Sequence, residues 1–393
     1  MFDPTLLALI LTSIFIGFLL GRWQPFSKKK TTFQDENNLN NEYFTGLNYL
    51  LNEQTDEAID SFIKALELST DDNVKTYIII GRLFRRRGEI EKAIQAHQDI
   101  LARSSLTKEQ SFQVQLELAH DYLKAGLLDR AEALLLELSQ VEWSQKDEAV
   151  KSLLSVYEQE KEWQKAIDLI MELPHINVTM AIQTGHYYAE LANICLQQKE
   201  FLQARQNIKK SMAFDKRGVR SNLQLGLLEY KLGNYREATR VLQKIARKNP
   251  LFISESIELL EKCYEHIHTQ HGLSTYLAYC LKNYPGIAVI AATTRKIAAS
   301  QSDHEASQFA AERIIQHPSL KGMDFLIENQ LHNIKGNGQQ LVLLLRDIVK
   351  KILAAQPIYR CMNCGFEGKE LHWRCPRCHV WGKIEPITGL EGQ

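Results

Sequence analysis

The sequence lacks a surplus of either charge: 47 Lys plus Arg balance 47 Asp plus Glu, so the formal net charge is zero. That balance argues against nucleic acid as the main partner, because phosphate binding draws on a basic excess over at least one face, though it leaves room for a local basic patch. Missing too are a phosphate-cradling G-x-G-x-x-G loop and a zinc-binding His-Glu-x-x-His helix, and the expectation is a protein that is not an enzyme. Cysteine is sparse, with seven in 393 residues, and its placement does not suit a disulfide framework in a chain this long. Three of the seven, Cys195, Cys263 and Cys280, stand singly in helical patterns and read as small buried apolar residues. An apolar content of 45% and a charged content of 24% are ordinary for a folded chain. The length admits two or three domains or one long repeat array.

The opening residues hold an uncharged apolar run, Thr5 to Gly21 (TLLALILTSIFIGFLLG), 17 residues long. As a helix it measures about 25 Å, enough for a thin bilayer core. A cleaved signal peptide carries its basic residues before the apolar run, whereas here Met-Phe-Asp-Pro leads and Arg22 and Lys28 to Lys30 follow. The reading is a single transmembrane anchor over residues 1–21, with the bulk of the chain held in the cytoplasm by the positive charge behind it. Trp23 suits the interface, and the polar stretch over 22–38 reads as a tether.

From residue 39 to about 354 the chain repeats itself. A small residue at one helix centre is followed eleven to thirteen positions later by a second, with aromatic or apolar residues between and beyond. Gly46, Tyr49, Ala58, Phe62 and Ala65 recur as Gly81, Phe84, Ala93, His97 and Ile100, then as Ala119, Tyr122, Ala131, Leu135 and Leu138. Later copies centre on Ala166, Ala204, Ala238, Leu273 and Ala306, so key positions lie 33 to 38 residues apart. The period resembles that of the tetratricopeptide repeat, a helix–turn–helix unit, and predicts about eight units in a superhelical solenoid. In this register Arg82, Arg85, His120, Lys124 and Asn193 are candidate groove residues, either a seat for an acidic peptide or carboxylate or an ordinary solvated basic run. His266, His268 and His271 fall at a helix junction without an acidic or thiol companion and read as surface histidines.

Cys361-Met-Asn-Cys364-Gly and Cys375-Pro-Arg-Cys378 form two Cys-x-x-Cys pairs. Four thiolates are what a tetrahedral site needs, and either zinc or a single iron suits them. Gly365 allows the backbone to close the first turn. So small a unit, over residues 355–393, has too little core to fold unaided, and the metal supplies much of its folding energy. The paired knuckles look like those of rubredoxins. The expected class is thus all-α: a transmembrane helix, a repeat solenoid and a small rubredoxin-like metal domain.

Taken in this order, the three parts resemble one family, lipopolysaccharide assembly protein B of Gram-negative bacteria. The local match runs Tyr359-Arg-Cys-x-x-Cys-Gly-Phe366, then Leu371-x-Trp373-x-Cys-Pro-x-Cys378, then Trp381 and Ile387-x-Gly-Leu390. The resemblance implies a bacterial inner-membrane adaptor without catalytic residues, with Cys361, Cys364, Cys375 and Cys378 as metal ligands. It also implies partners: the membrane-bound AAA+ protease FtsH, the lipid A deacetylase whose degradation is promoted, and other lipopolysaccharide-synthesis or transport proteins. Two other classes are compatible with parts of the pattern, a scaffold of a secretion or pilus assembly and a rubredoxin-type electron carrier.

Overall fold

The computed structural model describes residues 42, 44–49, 51, 52, 54–68, 74–103, 105–267, 270–331, 337–390 and 392. The expected anchor (1–21) and tether (22–38) lie outside them, and among the described residues no helix is long and apolar enough to cross a membrane. The chain divides into two compact units, one through Val156 and one from Tyr157 onward.

The first unit is built from α1 (Thr55–Leu68), α2 (Val74–Arg87), α3 (Ile90–Leu101), α4 (Lys108–Ala125), α5 (Leu128–Gln140) and most of α6 (Lys146–Glu160). The second begins in the last turn of α6. It continues through α7 (Trp163–Met171), α8 (Val178–Gln197), α9 (Phe201–Phe214), α10 (Arg220–Lys231), α11 (Tyr235–Leu242) and α12 (Ile245–Lys248). After a 3-10 turn at Pro250–Phe252 come α13 (Ile253–Ile267), α14 (Gln270–Asn283), α15 (Ile287–Ser300), α16 (Asp303–Gln316), α17 (Leu320–Leu331) and α18 (Asn337–Ala355). Three short strands close the chain: β1 (Tyr359–Cys361), β2 (Glu367–Gly368) and β3 (Ile384–Pro386).

The repeat is visible in the backbone as well as in the side chains. Two helices of a pair are joined by one residue in the left-handed region: Gly88 and Gly126 in the first unit, Lys161, Lys199 and Gly233 in the second. The following N–H reaches back to a carbonyl five residues earlier, as from Glu89 to Phe84 (2.9 Å), Glu162 to Tyr157 (2.9 Å) and Glu200 to Cys195 (2.8 Å). This is the Schellman closure, which satisfies carbonyls left over at a helix end. Several helix entries carry side-chain caps: Thr107 and Gln110 form a capping box on α4, Asn177 caps α8 and Ser302 caps α16.

The residues that centre the period are buried in both units: Ala58, Ala93 and Ala131 in the first, Ala166, Ala204, Ala238 and Ala306 in the second, with Leu273 in place of a small residue in one weaker copy. A Cβ on Gly81 would run into the His97 ring, so that close helix approach depends on glycine. Each unit thus buries its helices against their neighbours, the helix–turn–helix packing of tetratricopeptide-like repeats. Expected as all-α, the chain also contains a three-stranded antiparallel sheet of order β2-β1-β3, with Tyr359 opposite Gly368 and Pro386. Strands of two or three residues are too short for a periodic pattern to announce them; the cysteine turns bring them together.

Candidate metal centre and the face that holds it

The two cysteine turns are built alike. Cys361 N–H donates to Phe366 O (2.7 Å) and Gly365 N–H to Cys361 O (3.0 Å); likewise Cys375 N–H donates to Val380 O (3.0 Å) and His379 N–H to Cys375 O (2.9 Å). Both turns need a left-handed residue after the second cysteine, Gly365 at φ 71° and His379 at φ 58°. The Sγ atoms of Cys361 and Cys378 lie 3.8 Å apart, those of Cys364 and Cys375 3.6 Å, and all four fall within 4.8 Å of one another. A tetrahedral ion with metal–sulfur bonds of about 2.3 Å requires sulfur separations of about 3.8 Å, so the donor set fits a tetrathiolate metal, zinc or iron. Among the described residues it is the only cluster of three or more His, Cys, Asp or Glu side chains arranged to hold an ion. Burial raises the Cys378 thiol, but the Val380 N–H, Asn363 and the neighbouring thiols outweigh it and bring it down to about 6.

The ribbon does not stand alone, and the residues that hold it were not foreseen from the sequence. Arg374 and Trp381 face each other across an isolated bridge, and both reach Glu158 in the last turn of α6. Trp381 Nε1–H donates to Glu158 Oε1 (2.6 Å), the Tyr187 hydroxyl donates to the same oxygen (2.6 Å), and Arg374 Nη2 donates to Oε2 (2.7 Å). Glu158, Tyr187 and Trp381 are all buried. Burial, then the Glu158 carboxylate, pushes the Tyr187 phenol far above its usual range, so it remains a donor.

Aromatic stacking extends this clamp. The Trp381 ring meets Trp163 (6.0 Å), Tyr187 (5.8 Å) and His186 (5.1 Å). Burial, then the charge on Arg220, lowers His186 to about 3, so a neutral ring stacks there. The Arg220 guanidinium sits 5.7 Å from the Trp373 ring and 6.0 Å from Trp381, and its charge is met by Glu190 at 2.8 Å. Trp373 stacks on Phe252 (5.7 Å) and, with Leu371, joins the core cluster of α13 and its neighbours. Tyr359 donates to Glu255 Oε1 (2.6 Å), and Leu320 N–H donates to Leu390 O (3.1 Å). A Glu inside the apolar pattern of α6 and the aromatic residues Tyr359, Trp373 and Trp381 in a short ribbon were the only sequence signals of this arrangement.

The groove residues are placed differently from one another. Arg82 and Arg85 both pair with Glu117, and Arg85 also pairs with Asp121 (2.7 Å). Their charge is thus met by carboxylates from the next repeat, more than thirty positions away in sequence, and neither reading as a free carboxylate seat nor as a solvated run describes Arg85. His120 Nε2 lies 3.0 Å from Ser152 Oγ, and burial lowers its pKa. Lys124 is exposed on α4, and Asn193 is exposed on α8 in the second unit. His266 stacks on Tyr235 (4.3 Å), His271 is exposed, and His268 is outside the described residues.

These features define a class: a helical-repeat protein whose terminal tetrathiolate ribbon is clamped onto its own repeats. Residues 359–386 match the family described as a rubredoxin metal binding domain. The chain is 31% identical to lipopolysaccharide assembly protein B of Escherichia coli K12, over 96% of both chains, and 28% identical to the protein of that name from Haemophilus influenzae, over 95% of this chain and 96% of that one. It belongs to the lipopolysaccharide assembly protein B family. Among solved structures, the Naa15/Naa10 complex bound to HypK-THB overlaps 78% of this chain and 49% of that one, with a TM-score of 0.47 at 14% identity.

Proposed function

We propose that this protein is a non-enzymatic adaptor of lipopolysaccharide assembly, anchored in the bacterial inner membrane with its repeats and ribbon in the cytoplasm. The observation that carries the reading is the full-length relationship to lipopolysaccharide assembly protein B, 31% identical over 96% of both chains. In the finer form of this proposal, the adaptor brings the lipid A deacetylase of the committed step to the membrane protease FtsH and so promotes its degradation. It also gathers other lipopolysaccharide-synthesis proteins at the membrane. An adaptor works by raising the local concentration of substrate beside the protease, which requires surfaces held in fixed relation rather than reacting groups.

The ribbon supplies one such surface. Cys361, Cys364, Cys375 and Cys378 would hold the ion, which when bound neutralises the thiolates and cross-links the two turns. Glu158, Trp163, His186, Tyr187 and Arg220 then hold the ribbon against the repeats, leaving its exposed Met362, Arg377 and Lys383 outward. The test is in-cell crosslinking of the full-length protein, followed by mass spectrometry of the captured membrane fraction. Recovery of the protease and the deacetylase is expected; recovery of secretion or pilus components in their place would assign the repeats to another assembly.

A further inference from the structure

The second unit carries a cavity that neither the ribbon nor its clamp uses. Arg236, Arg240, Lys244 and Arg247 follow one another at steps of four, four and three, which aligns them on one helical face. Gln243 and Lys244, between α11 and α12, keep right-handed helical backbone angles, so the alignment passes through the junction. The opposite face, Ala238, Leu242 and Ile245, is fully buried.

Arg240, Lys244 and Arg247 line a cavity of about 640 Å³ together with Tyr264 of α13 and Tyr276 and Tyr279 of α14. That volume lies within the range usual for small-molecule sites. No carboxylate lines it. Arg240 forms only an exposed pair with Glu237 (2.7 Å), an arrangement that contributes little, and among the described residues no carboxylate pairs with Lys244 or Arg247. Gln243 Nε2 donates to the Tyr264 hydroxyl (2.8 Å), fixing that ring at the wall. Gly272 lets the ring lie close, since a Cβ there would come within 2.9 Å of it. Tyr276 is itself almost wholly buried, so its ring forms the floor of the cavity rather than its rim.

We propose that this cavity binds a phosphate- or diphosphate-bearing ligand, its oxygens among Arg240, Lys244 and Arg247 and its organic portion against the three tyrosines. Three cations in a lining that holds no carboxylate match a compact polyanion, which would compete with Glu237 for Arg240, and Arg in particular offers paired donors to phosphate oxygens. Tyrosine presents an apolar ring with a polar tip, suited to a sugar or lipid head group joined to the phosphate. A soluble phosphorylated compound and a phospholipid head group share this chemistry.

The experiment is calorimetric titration of the full-length protein with inorganic pyrophosphate, alongside flotation with phosphatidic acid and phosphatidylcholine vesicles. Saturable pyrophosphate binding is expected, weakened about tenfold or more by Lys244→Glu with Arg247→Glu and less than about twofold by Lys209→Glu on α9. Should the double reversal disturb folding, Lys244→Gln tests the same contact. Vesicle binding that needs phosphatidic acid and is displaced by pyrophosphate assigns the site to a head group; pyrophosphate binding without vesicle binding assigns it to a soluble ligand. Absence of saturable binding, equal weakening by Lys209→Glu, or binding of an acidic peptide that pyrophosphate does not displace overturns the proposal. The adaptor reading rests on other residues and is untouched by any of these results.

Discussion

Replacing Glu158 with alanine removes one side chain and leaves three donors without an acceptor: the Tyr187 hydroxyl, the Trp381 indole N–H and the Arg374 guanidinium. A buried unsatisfied donor costs about 1–3 kcal/mol, and breaking a buried ion pair by removing one partner costs about 3–5 kcal/mol. Arg374 is partly exposed, with 21% of its side chain accessible, so it recovers some hydration. Loss of about 4 kcal/mol of docking free energy is therefore expected, enough to populate an undocked ribbon. Hydrogen exchange over residues 358–386 and the rate of metal removal by a chelator report this state. Both should accelerate in Glu158→Ala, while exchange in α2 to α5, which belong to the first unit, stays as in the wild type. Glu158→Gln, which keeps the shape and loses the charge, should fall between. Unchanged exchange and unchanged chelation in Glu158→Ala would refute the clamp.

Three further outcomes follow from the same structure. Cys361→Ser or Cys375→Ser should abolish one equivalent of bound iron or zinc by elemental analysis, with the helical circular dichroism of the repeats retained. His186 takes up a proton near 6.5 when unfolded but only at about 3 when folded, so acid favours the unfolded state and folding stability should fall by about 2 kcal/mol on going from neutral pH to about pH 5. In His186→Gln the slope of stability against pH over that window should flatten. Lys199→Gly should raise the urea midpoint, gaining about 0.5–1 kcal/mol, because Lys199 holds a left-handed φ of 63° that glycine adopts without strain.

The repeats were legible because their packing is local in sequence and periodic. The key positions Ala58, Ala93, Ala131, Ala166, Ala204, Ala238 and Ala306 are all buried, and the breaker in Arg87-Gly88-Glu89 occupies the left-handed turn it suggested. The four cysteines were legible for the same reason, since Cys-x-x-Cys brings two sulfurs together by spacing alone. What could not be read depends on contacts far apart in the chain. Glu158 meets residues 216 and 223 positions later, and no spacing rule connects them. Arg82 and Arg85 looked available because Glu117 and Asp121 belong to the next repeat. His379 stood outside the pattern for another reason: its turn requires the conformation of Gly365, but the residue itself is not a glycine.

The most direct test of the adaptor claim is the half-life of the lipid A deacetylase after protein synthesis is stopped, in cells with and without this protein. The account predicts a longer half-life without it, together with raised lipopolysaccharide and growth restored by partial inhibition of the deacetylase. Equal half-lives in the two strains would contradict it.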